Sequence, residues 1–472
     1  LSTFNGYLVD ENYFAGCGGG GSSSSNTSSA NPAIGVSSAV DLNDFDKEYD
    51  MFDLQISWFD DQFYMDVDED NNVYIAVAYH TANNYTIGGQ SLYYQAGNDH
   101  SIAIVKYDST GVIQYQFSHS LAPDESYEVN GCSVDDNGNL FVTGRKWAIN
   151  NYYSVFIRKY DNMGGLVFET ISVATNNACR SSDVISDDNG GAYICGTYHD
   201  PLDLGNSVPI LPADAGSSEQ GFIARIDQNG DALWAEYVGD ITHNNSYDNM
   251  QSLAIDINNN ILVSGTKANN TTVNQWRTFI RQYDPVNGGA PLTELLSDYF
   301  GTSLGAEFAV RINVDNNGDL YLFTSHNTNY NNNYIFNTFP LDPVLANANI
   351  LYKLSSSFTH LYSHNFGNSQ TLVNQVIPLS DNNVVLRAGG GQPLIINNVV
   401  YSQDINQTGY VMKLNTTGDF VKFHTLGYLG LTTSIAINAN SSNMFTFYRR
   451  SANFLNNGIT YPFGNYIVKE QY

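Results

Sequence analysis

Three aspartates at alternate positions are the first residues of the chain that could bind a ligand. Asp66, Asp68 and Asp70 form an Asp-x-Asp-x-Asp run, and Ca²⁺ binds several hard oxygen atoms at close range. A complete EF-hand loop would have a glutamate where this chain has Val77. The run also lies in a turn that recurs with varying Asp, Asn and Gly, as ordinary hairpin turns do. We therefore treat it only as a weak calcium candidate and expect no metal and no cofactor.

Three histidines stand at equivalent positions of a repeating unit. His80, His199 and His326 each follow the second strand that the unit predicts, and histidine is a frequent metal ligand. The units that contain them are not adjacent, and the second strand lies away from the axis of such a fold. Equivalent atoms should be too far apart to share an ion, so the repeat itself explains the recurrence.

None of the four cysteines lies in a Cys-x-x-Cys pair, which argues against a structural zinc site. Cys179 and Cys195 lie near the ends of two strands of a predicted antiparallel hairpin. One prediction is a disulfide between them, and the alternative is two buried thiols.

The sequence contains no specific catalytic motif. It has no Gly-x-Ser-x-Gly elbow, no phosphate-binding loop and no His-Glu-x-x-His. We predict that the protein is not an enzyme, although an active site dispersed over several repeats would leave no such motif.

An acidic hairpin motif that recurs seven times in the sequence indicates how these residues are positioned. The copies begin at Val67, Val134, Ser186, Ile255, Val314, Leu379 and Ile437. They lie roughly 60 residues apart, and strand–turn–strand content at such a period is typical of a β-propeller. The sequence therefore predicts an all-β fold, a seven-bladed β-propeller with four-stranded blades.

A second phrase, exemplified by Val155–Asp161, marks the third strand of each unit. Its last copy, near the C-terminus, has no fourth strand after it, whereas Met51–Trp58 matches the fourth-strand pattern. We predict that this N-terminal strand closes the last blade, which would remove two exposed sheet edges. The residues predicted to close the ring are Phe52, Leu54, Ile56, Trp58, Tyr466 and Val468.

The run Phe222–Trp234, followed by Ala254–Gly265, resembles the bacterial β-propeller repeat often called SBBP. The resemblance covers roughly residues 47–472 and departs from the pattern in the last two units. Proteins with this repeat are mainly secreted or displayed on the cell surface, and they share no single activity. The resemblance thus implies a propeller fold and an extracellular or cell-surface location in a bacterium.

Residues 1–46 differ in composition from residues 47–472, so we predict an extended N-terminal arm before the propeller. The arm contains a Gly/Ser-rich segment at 17–29, a composition typical of flexible linkers. Ordering one residue costs about 1–2 kcal/mol of backbone entropy, so an ordered arm requires a groove or a strand to pair with. A neighbouring subunit could provide either one. The aromatic residues predicted to anchor the arm are Phe4, Tyr7, Tyr13 and Phe14.

The charge balance limits the possible partners. The chain has 19 Lys and Arg against 47 Asp and Glu, a formal net charge of −28, which repels nucleic acid and anionic lipid. No stretch approaches the ~20 apolar residues of a membrane span. Because the chain begins at Leu1, we expect either a removed leader or a truncated chain.

Three functions remain open. The first is a secreted structural protein, the subunit of an extracellular filament or surface layer, whose partner is a second copy of the chain. The second is a propeller that binds a surface glycan or protein through long loops rich in Asn and Tyr, which occupy one face of the disc. The third is an enzyme that acts on polysaccharide. Carboxylate or histidine side chains that meet at the propeller axis would favour it.

Overall fold

The structure is a computed structural model that describes the strands of the chain and most of their turns. The described residues are 2–4, 7–9, 50–53, 63–81, 85–87, 90–93, 100–119, 125–148, 152–173, 175, 179–187, 189–206, 208–213, 219–238, 248–268, 275–297, 300–301, 310–325, 349–366, 372–390, 395–396, 399–400, 408–428, 435–437, 443–450, 454–456, 459–461 and 464–471. Within these ranges, no helix has both the length and the apolar character that a membrane crossing requires.

All the described elements are β-strands, and the chain begins with β1 (Ser2–Phe4), β2 (Tyr7–Val9) and β3 (Asp50–Asp53). Sheet 1 contains β4 (Phe63–Val67) and β5 (Val73–His80), and then β8 (His100–Tyr107) and β9 (Ile113–Ser118); between them, β6 (Thr86–Ile87) and β7 (Gln90–Ser91) form a separate two-stranded hairpin. Sheet 2 contains β10 (Glu125–Val134), β11 (Leu140–Ala148), β12 (Tyr153–Tyr160) and β13 (Leu166–Ile171). Sheet 3 contains β14 (Cys179–Ser186), β15 (Ala192–Tyr198), β16 (Gln220–Ile226) and β17 (Ala232–Val238).

Sheet 4 contains β18 (Asn249–Ile255), β19 (Ile261–Ala268), β20 (Gln275–Asp284), β21 (Gly288–Leu296) and the short β22 (Phe300–Gly301). Sheet 5 contains β23 (Val310–Val314), β24 (Leu320–Ser325), β25 (Asn349–Leu354) and β26 (His360–Phe366). Sheet 6 contains β27 (Leu372–Pro378) and β28 (Val384–Gly390), and then β31 (Thr408–Leu414) and β32 (Phe420–Tyr428); the intervening hairpin of β29 (Ile395–Ile396) and β30 (Val399–Val400) belongs to sheet 5. Sheet 7 contains β33 (Ile435–Ile437), β34 (Asn443–Arg450) and β37 (Gly464–Gln471) together with β3; between β34 and β37, β35 (Phe454–Asn456) and β36 (Ile459–Tyr461) form a separate two-stranded hairpin.

Four antiparallel strands form the main path of each of these seven sheets, in chain order in sheets 1 to 6. The small hairpin β29–β30 joins the outer strand of sheet 5. The inner strands of sheets 1 to 6 contact one another in succession, and β33 of sheet 7 contacts β4 of sheet 1. The fold is therefore a β-propeller, as the period of the repeat predicts.

One aspartate organises most of the tight turns that join these strands. In sheet 2, Asp135 Oδ1 accepts hydrogen bonds from the backbone N–H groups of Asn137 (3.0 Å) and Asn139 (2.8 Å). Gly138 has a φ of 74°, a left-handed conformation that glycine adopts without a steric penalty. The same pair of backbone hydrogen bonds recurs at Asp68, Asp108, Asp161, Asp187, Asp227, Asp256, Asp315 and Asn415.

A polar side chain on the third strand reaches the aspartate of the first turn in its own sheet. In sheet 3, Arg225 Nη2 lies 3.0 Å from Asp187 Oδ2, and Nη1 donates to the carbonyl of Pro285 in sheet 4 (2.9 Å). The guanidinium thus joins two sheets. The corresponding pairs in other sheets are Lys159 with Asp135, Gln282 with Asp256, Lys353 with Asp315 and Lys413 with Asp381.

Apolar side chains fill the interfaces between successive sheets. Both faces of β5 are buried: Val73, Ile75 and Val77 lie in one cluster, whereas Tyr74 and Ala76 pack against residues of sheet 2. Further clusters occupy each interface from sheet 2 to sheet 6. This arrangement explains why the second and third strands are continuous apolar runs rather than alternating ones.

The last sheet combines strands from the two ends of the chain. β3 pairs antiparallel with β37, with Phe52 opposite Ile467 and Asp53 opposite Tyr466. Val468 lies opposite Met51. The other residues predicted to close the ring, Leu54, Ile56 and Trp58, lie outside the described residues.

The beginning of the arm forms a small hairpin. β1 pairs with β2 through three residue pairs, and Phe4 lies opposite Tyr7 across a connection whose sequence is Asn5-Gly6. Asn-Gly is the strongest short-range sequence signal for a two-residue hairpin turn. The other two predicted anchors, Tyr13 and Phe14, lie outside the described residues.

The disulfide predicted between Cys179 and Cys195 is wrong, since both thiols are free. Cys179 lies opposite Tyr198, whereas Cys195 lies opposite Asp183 in the middle of the hairpin. This register separates the cysteines by about 10 Å along the strands at ~3.3 Å per residue, and bridged Cα atoms lie within ~7 Å. Both are buried free thiols, at 1% and 0% exposure, as the alternative expected, and burial raises the pKa of Cys179 to about 11 and that of Cys195 well above its usual range.

The ion pair between turn and third strand can be tested in sheet 3. We predict that Asp187→Asn lowers the free energy of unfolding by about 2–3 kcal/mol, because Arg225 would lose its buried anionic partner while the amide oxygen could still cap the turn. Asp227→Asn is the matched control in the exposed turn of the same sheet and should cost less than about 1 kcal/mol. Urea unfolding measures both variants, and equal losses would contradict a stabilising role of the Arg225 pair.

Candidate functional site

The inner strands carry polar side chains that bind the backbone of the next sheet. Asp66 Oδ2 accepts a hydrogen bond from Val134 N in sheet 2 (2.8 Å), and Oδ1 accepts one from Val67 N (2.9 Å). Asp183 repeats the arrangement, with Oδ2 accepting from Leu253 N in sheet 4 (2.9 Å). These two carboxylates therefore join sheets.

Uncharged residues make the equivalent connections in other sheets. Asn313 Nδ2 donates to the carbonyl of Val376 in sheet 6 (3.1 Å), and Gln251 Oε1 accepts from Val310 N in sheet 5 (2.8 Å). Between sheets 2 and 3, Asn130 Nδ2 donates to the carbonyl of Ser181 (2.9 Å). These contacts link the inner strands of neighbouring sheets.

The carboxyl group of Asp66 is half-buried on the inner strand of sheet 1. Burial raises its pKa to about 6; backbone N–H groups of Val134 and Val67 oppose that rise, and the charges of Asp68 and Asp183 add to it. Burial likewise raises the pKa of the neighbouring Cys132 thiol well above its usual range, and the carboxylates of Asp66 and Asp183 raise it further.

The structure does not bring Asp66, Asp68 and Asp70 together as calcium ligands. Asp66 faces the next sheet, whereas Asp68 caps its turn by accepting from the backbone of Asp70 (3.0 Å) and Asn72 (2.8 Å). Asp70 is exposed. In the part of the chain that the structure describes, no three acidic, histidine or cysteine residues are arranged to hold a metal ion.

The raised pKa of Asp66 makes stability depend on pH in a defined direction. The folded state holds this proton more tightly than the unfolded chain, so its contribution to stability is present near pH 4 and is lost as pH rises through about 6. We predict that the stability of the wild type relative to Asp66→Asn falls by about 1–2 kcal/mol between pH 4 and pH 7. Urea unfolding at both pH values measures this difference.

Asp227→Asn provides the control for that measurement. Partial burial tends to raise the pKa of Asp227, but hydrogen bonds from the backbone of Asp231 and Asn229 outweigh it, and the net pKa is lowered. The contribution of Asp227 to the free energy of unfolding should therefore change in the opposite direction and be lost as pH falls. A wild type and an Asp66→Asn variant with parallel pH profiles would contradict the burial of the Asp66 charge.

A second concentration of functional groups lies at the loop end of sheets 1 and 2, opposite the Asp-capped turns. His80 and His100 face each other across the last residue pair of β5 and β8, with ring centroids 3.7 Å apart. The His100 ring lies 5.8 Å from Trp147 of sheet 2. Arg145 lies over the Trp147 ring at 5.1 Å and over the Tyr153 ring at 5.5 Å. We call His80, His100, Arg145, Trp147, Tyr153 and Glu128 the loop-end cluster.

The charges in and near this cluster are balanced in pairs. The Arg145 guanidinium binds the carboxylate of Glu128, and Lys146 Nζ lies 2.7 Å from Glu125 Oε1. The four side chains of these pairs are 22–28% exposed. The loop-end cluster therefore presents aromatic surface beside accessible donors and acceptors, with little net charge.

Sequence reasoning did not identify the loop-end cluster. The available signal was the run Arg145-Lys146-Trp147, which places two of the 19 cationic residues beside one of only four tryptophans. The histidines that the sequence did single out have different surroundings. His80 belongs to the loop-end cluster, His199 Nε2 lies 3.4 Å from Glu219, and His326 lies outside the described residues.

His119 and Arg158 form a buried pair next to this cluster. Arg158 Nη2 lies 3.0 Å from His119 Nε2, so the neutral imidazole accepts the hydrogen bond. Arg158 also binds Glu169, and its guanidinium lies 4.5 Å from the centre of the Tyr127 ring. Burial and then the nearby Arg158 charge lower the pKa of His119.

The lowered pKa of His119 predicts a loss of stability in acid. The unfolded chain takes up a proton near pH 6.5 while the folded state resists it, so stability should fall as pH drops below about 6.5. We expect the wild type to lose about 1 kcal/mol more than His119→Asn between pH 7 and pH 5. Thermal unfolding of both proteins at these pH values measures the difference, and an equal loss would show that His119 is protonated in the folded state.

Comparison with known protein families and with curated proteins gave no match. Among solved structures, the chain is similar to prolyl oligopeptidase B from Galerina marginata, with 10% identity and a TM-score of 0.43 over 82% of this chain. The chain spans about half of that enzyme, 46% of its length. A Dyadobacter fermentans protein of unknown function matches with 12% identity and a TM-score of 0.40, over 89% of this chain and 99% of its own. The WD40 domain of SCAP from fission yeast matches with 10% identity and a TM-score of 0.36, over 90% and 98%.

Proposed function

We propose that this protein is a secreted structural propeller that assembles with copies of itself, and that its N-terminal arm docks on a neighbouring subunit. The observation that carries the proposal is the hairpin of β1 and β2. It has only three residue pairs and forms a two-stranded sheet of its own. Because an isolated two-stranded hairpin is marginally stable in water, this one needs a surface to pack on.

A closed seven-bladed ring is part of this proposal. Pairing of β3 with β37 supports it, as does the contact between β33 and β4. In a closed ring, the inner edge of each blade faces the central channel, whereas the outer strands lie at the rim, where a partner can reach their edges.

The rim formed by the outer strands has a repeated apolar position. Its side chains are between 42% and 56% exposed, and they are Val167, Leu233, Leu292, Leu361 and Val421. A β-bulge adjoins this position in sheets 2, 3, 5 and 6, and bulges oppose unspecific edge pairing. The hairpin β29–β30 already pairs with the outer strand of sheet 5; outside sheet 5, the rest of the outer strand can accept a specific hairpin by β-augmentation. A contact of this kind that does not close on itself produces a filament.

The extracellular or cell-surface location belongs to the same proposal and rests on the resemblance to the SBBP repeat and on the composition. We also propose that the protein is not an enzyme. The inner-strand polar groups support this, because they bind backbone of the neighbouring sheets.

Assembly through the arm predicts a change of mass in solution. Removing residues 1–30 should convert filaments or oligomers into particles of one chain, because the docking hairpin would be lost. Light scattering coupled to size exclusion measures the mass. Gly6→Val is the matched variant, since it keeps the arm but disfavours the positive φ of a two-residue turn, and it should weaken assembly. Unchanged assemblies after truncation, or a monomeric intact protein, would contradict the proposal.

A second candidate is a propeller that binds a surface glycan or protein through its loop-bearing face. The loop-end cluster favours it, because Trp, Tyr and Arg are the residues that most often dominate binding energy. The residues that would contact the ligand lie at the ends of the strands, next to the loops.

A further inference from the structure

We propose that the loop-end cluster is a binding site for a neutral carbohydrate. The inference deepens the second candidate function and depends on it. The cluster crosses from sheet 1 to sheet 2, and the backbone N–H of His100 donates to Ser126 Oγ (3.1 Å), which links the two sheets at this point. A ligand placed here would contact both sheets.

The aromatic rings provide the apolar part of the site. Trp147 is partly exposed and lies between the His100 ring and the Arg145 guanidinium. The face of an aromatic ring carries a negative quadrupole, and the C–H groups on one face of a sugar ring are weakly positive. A sugar ring therefore fits against partly exposed aromatic side chains such as Trp147 and Tyr153.

The polar part of the site suits hydroxyl groups rather than ions. Glu128 and Arg145 neutralise each other, and Lys146 and Glu125 form a second neutral pair on the opposite face of β11. A sugar hydroxyl donates to a carboxylate and accepts from a guanidinium group, so the Arg145–Glu128 pair can bind one or two hydroxyls without a change in charge. A charged sugar would compete with the existing pairs, and an acidic one would also meet the field of a chain with net charge −28.

The elements that carry the site are rigid. Arg145 and Trp147 lie on β11, and Tyr153 is paired with Trp147 at the start of β12. His80 and His100 are paired on β5 and β8. Sites on strands hold their geometry better than sites on loops, so the cluster requires little ordering when a ligand binds.

The test uses the full chain and defined oligosaccharides. Cellohexaose, maltohexaose and mannohexaose are the neutral probes, and hexagalacturonate is the acidic probe. Isothermal titration calorimetry measures affinity, and tryptophan fluorescence reports contact. We expect at least one neutral probe to bind, and Trp147→Ala to weaken it about tenfold or more. Trp147→Phe, which keeps a ring, should bind more tightly than Trp147→Ala but lose the fluorescence change.

Trp276→Phe is the matched control, because Trp276 is a buried core residue of sheet 4 with 8% exposure. It should keep both the affinity and the fluorescence change. Circular dichroism of Trp147→Phe establishes that the variant is folded. If a neutral probe binds Trp147→Ala as tightly as the wild type, the protein binds glycans but not at the loop-end cluster, and the proposed site is wrong. Binding of hexagalacturonate alone would overturn the neutral class, and failure of all the probes to bind at millimolar concentration would overturn the carbohydrate proposal while a protein-binding face stands.

Discussion

The hydrogen bonds from one aspartate oxygen to two backbone amides are the interaction on which this structure depends most. At Asp135 the two N···O distances are 3.0 and 2.8 Å, and the same geometry recurs in most of the tight turns that join the strands of sheets 1 to 6. The cap selects a turn whose fourth residue has a positive φ, which is why Gly or Asn stands there. Because the turn fixes strand register, it also decides which side chains face each neighbouring sheet.

The second carboxylate oxygen of the turn aspartate connects the turn to other strands of the fold. It receives a cation or an amide from the third strand, and in sheet 3 that same side chain continues to the turn of the next sheet. On the inner strands, Asp66, Asp183 and Asn313 bind the next sheet in a comparable way. Removing one partner of a buried charged pair destabilises the folded protein, because the other charge is left without a partner. The stability of each sheet therefore depends on the sheet next to it.

The pairing of cationic side chains with turn aspartates also bears on the location of the proposed binding site. Several of the 19 cationic residues are committed to turn aspartates within the sheets. At the loop end of sheets 1 and 2, Arg145 and Lys146 are instead paired with glutamates and remain partly exposed, and Arg145 lies over the Trp147 ring. A strongly acidic surface thus carries a locally neutral area with aromatic surface, which is the physical basis of the carbohydrate proposal.

The sequence by itself determined the all-β class, the repeat and the positions of the turns, because the capped turn requires Asp followed by Gly or Asn at short range. It also indicated that an N-terminal strand belongs with the last sheet, since the fourth-strand pattern near Phe52 is local. Only the tertiary structure decided the rest. The Cys179–Cys195 prediction was wrong because strand length and register, which depend on pairing, place Cys195 opposite Asp183. Asp66 looked like a metal ligand, but its partner Val134 lies in another sheet. The loop-end cluster joins residues of two sheets, and no single stretch of sequence contains the neighbours that give His100, Arg145 and Trp147 a common surface.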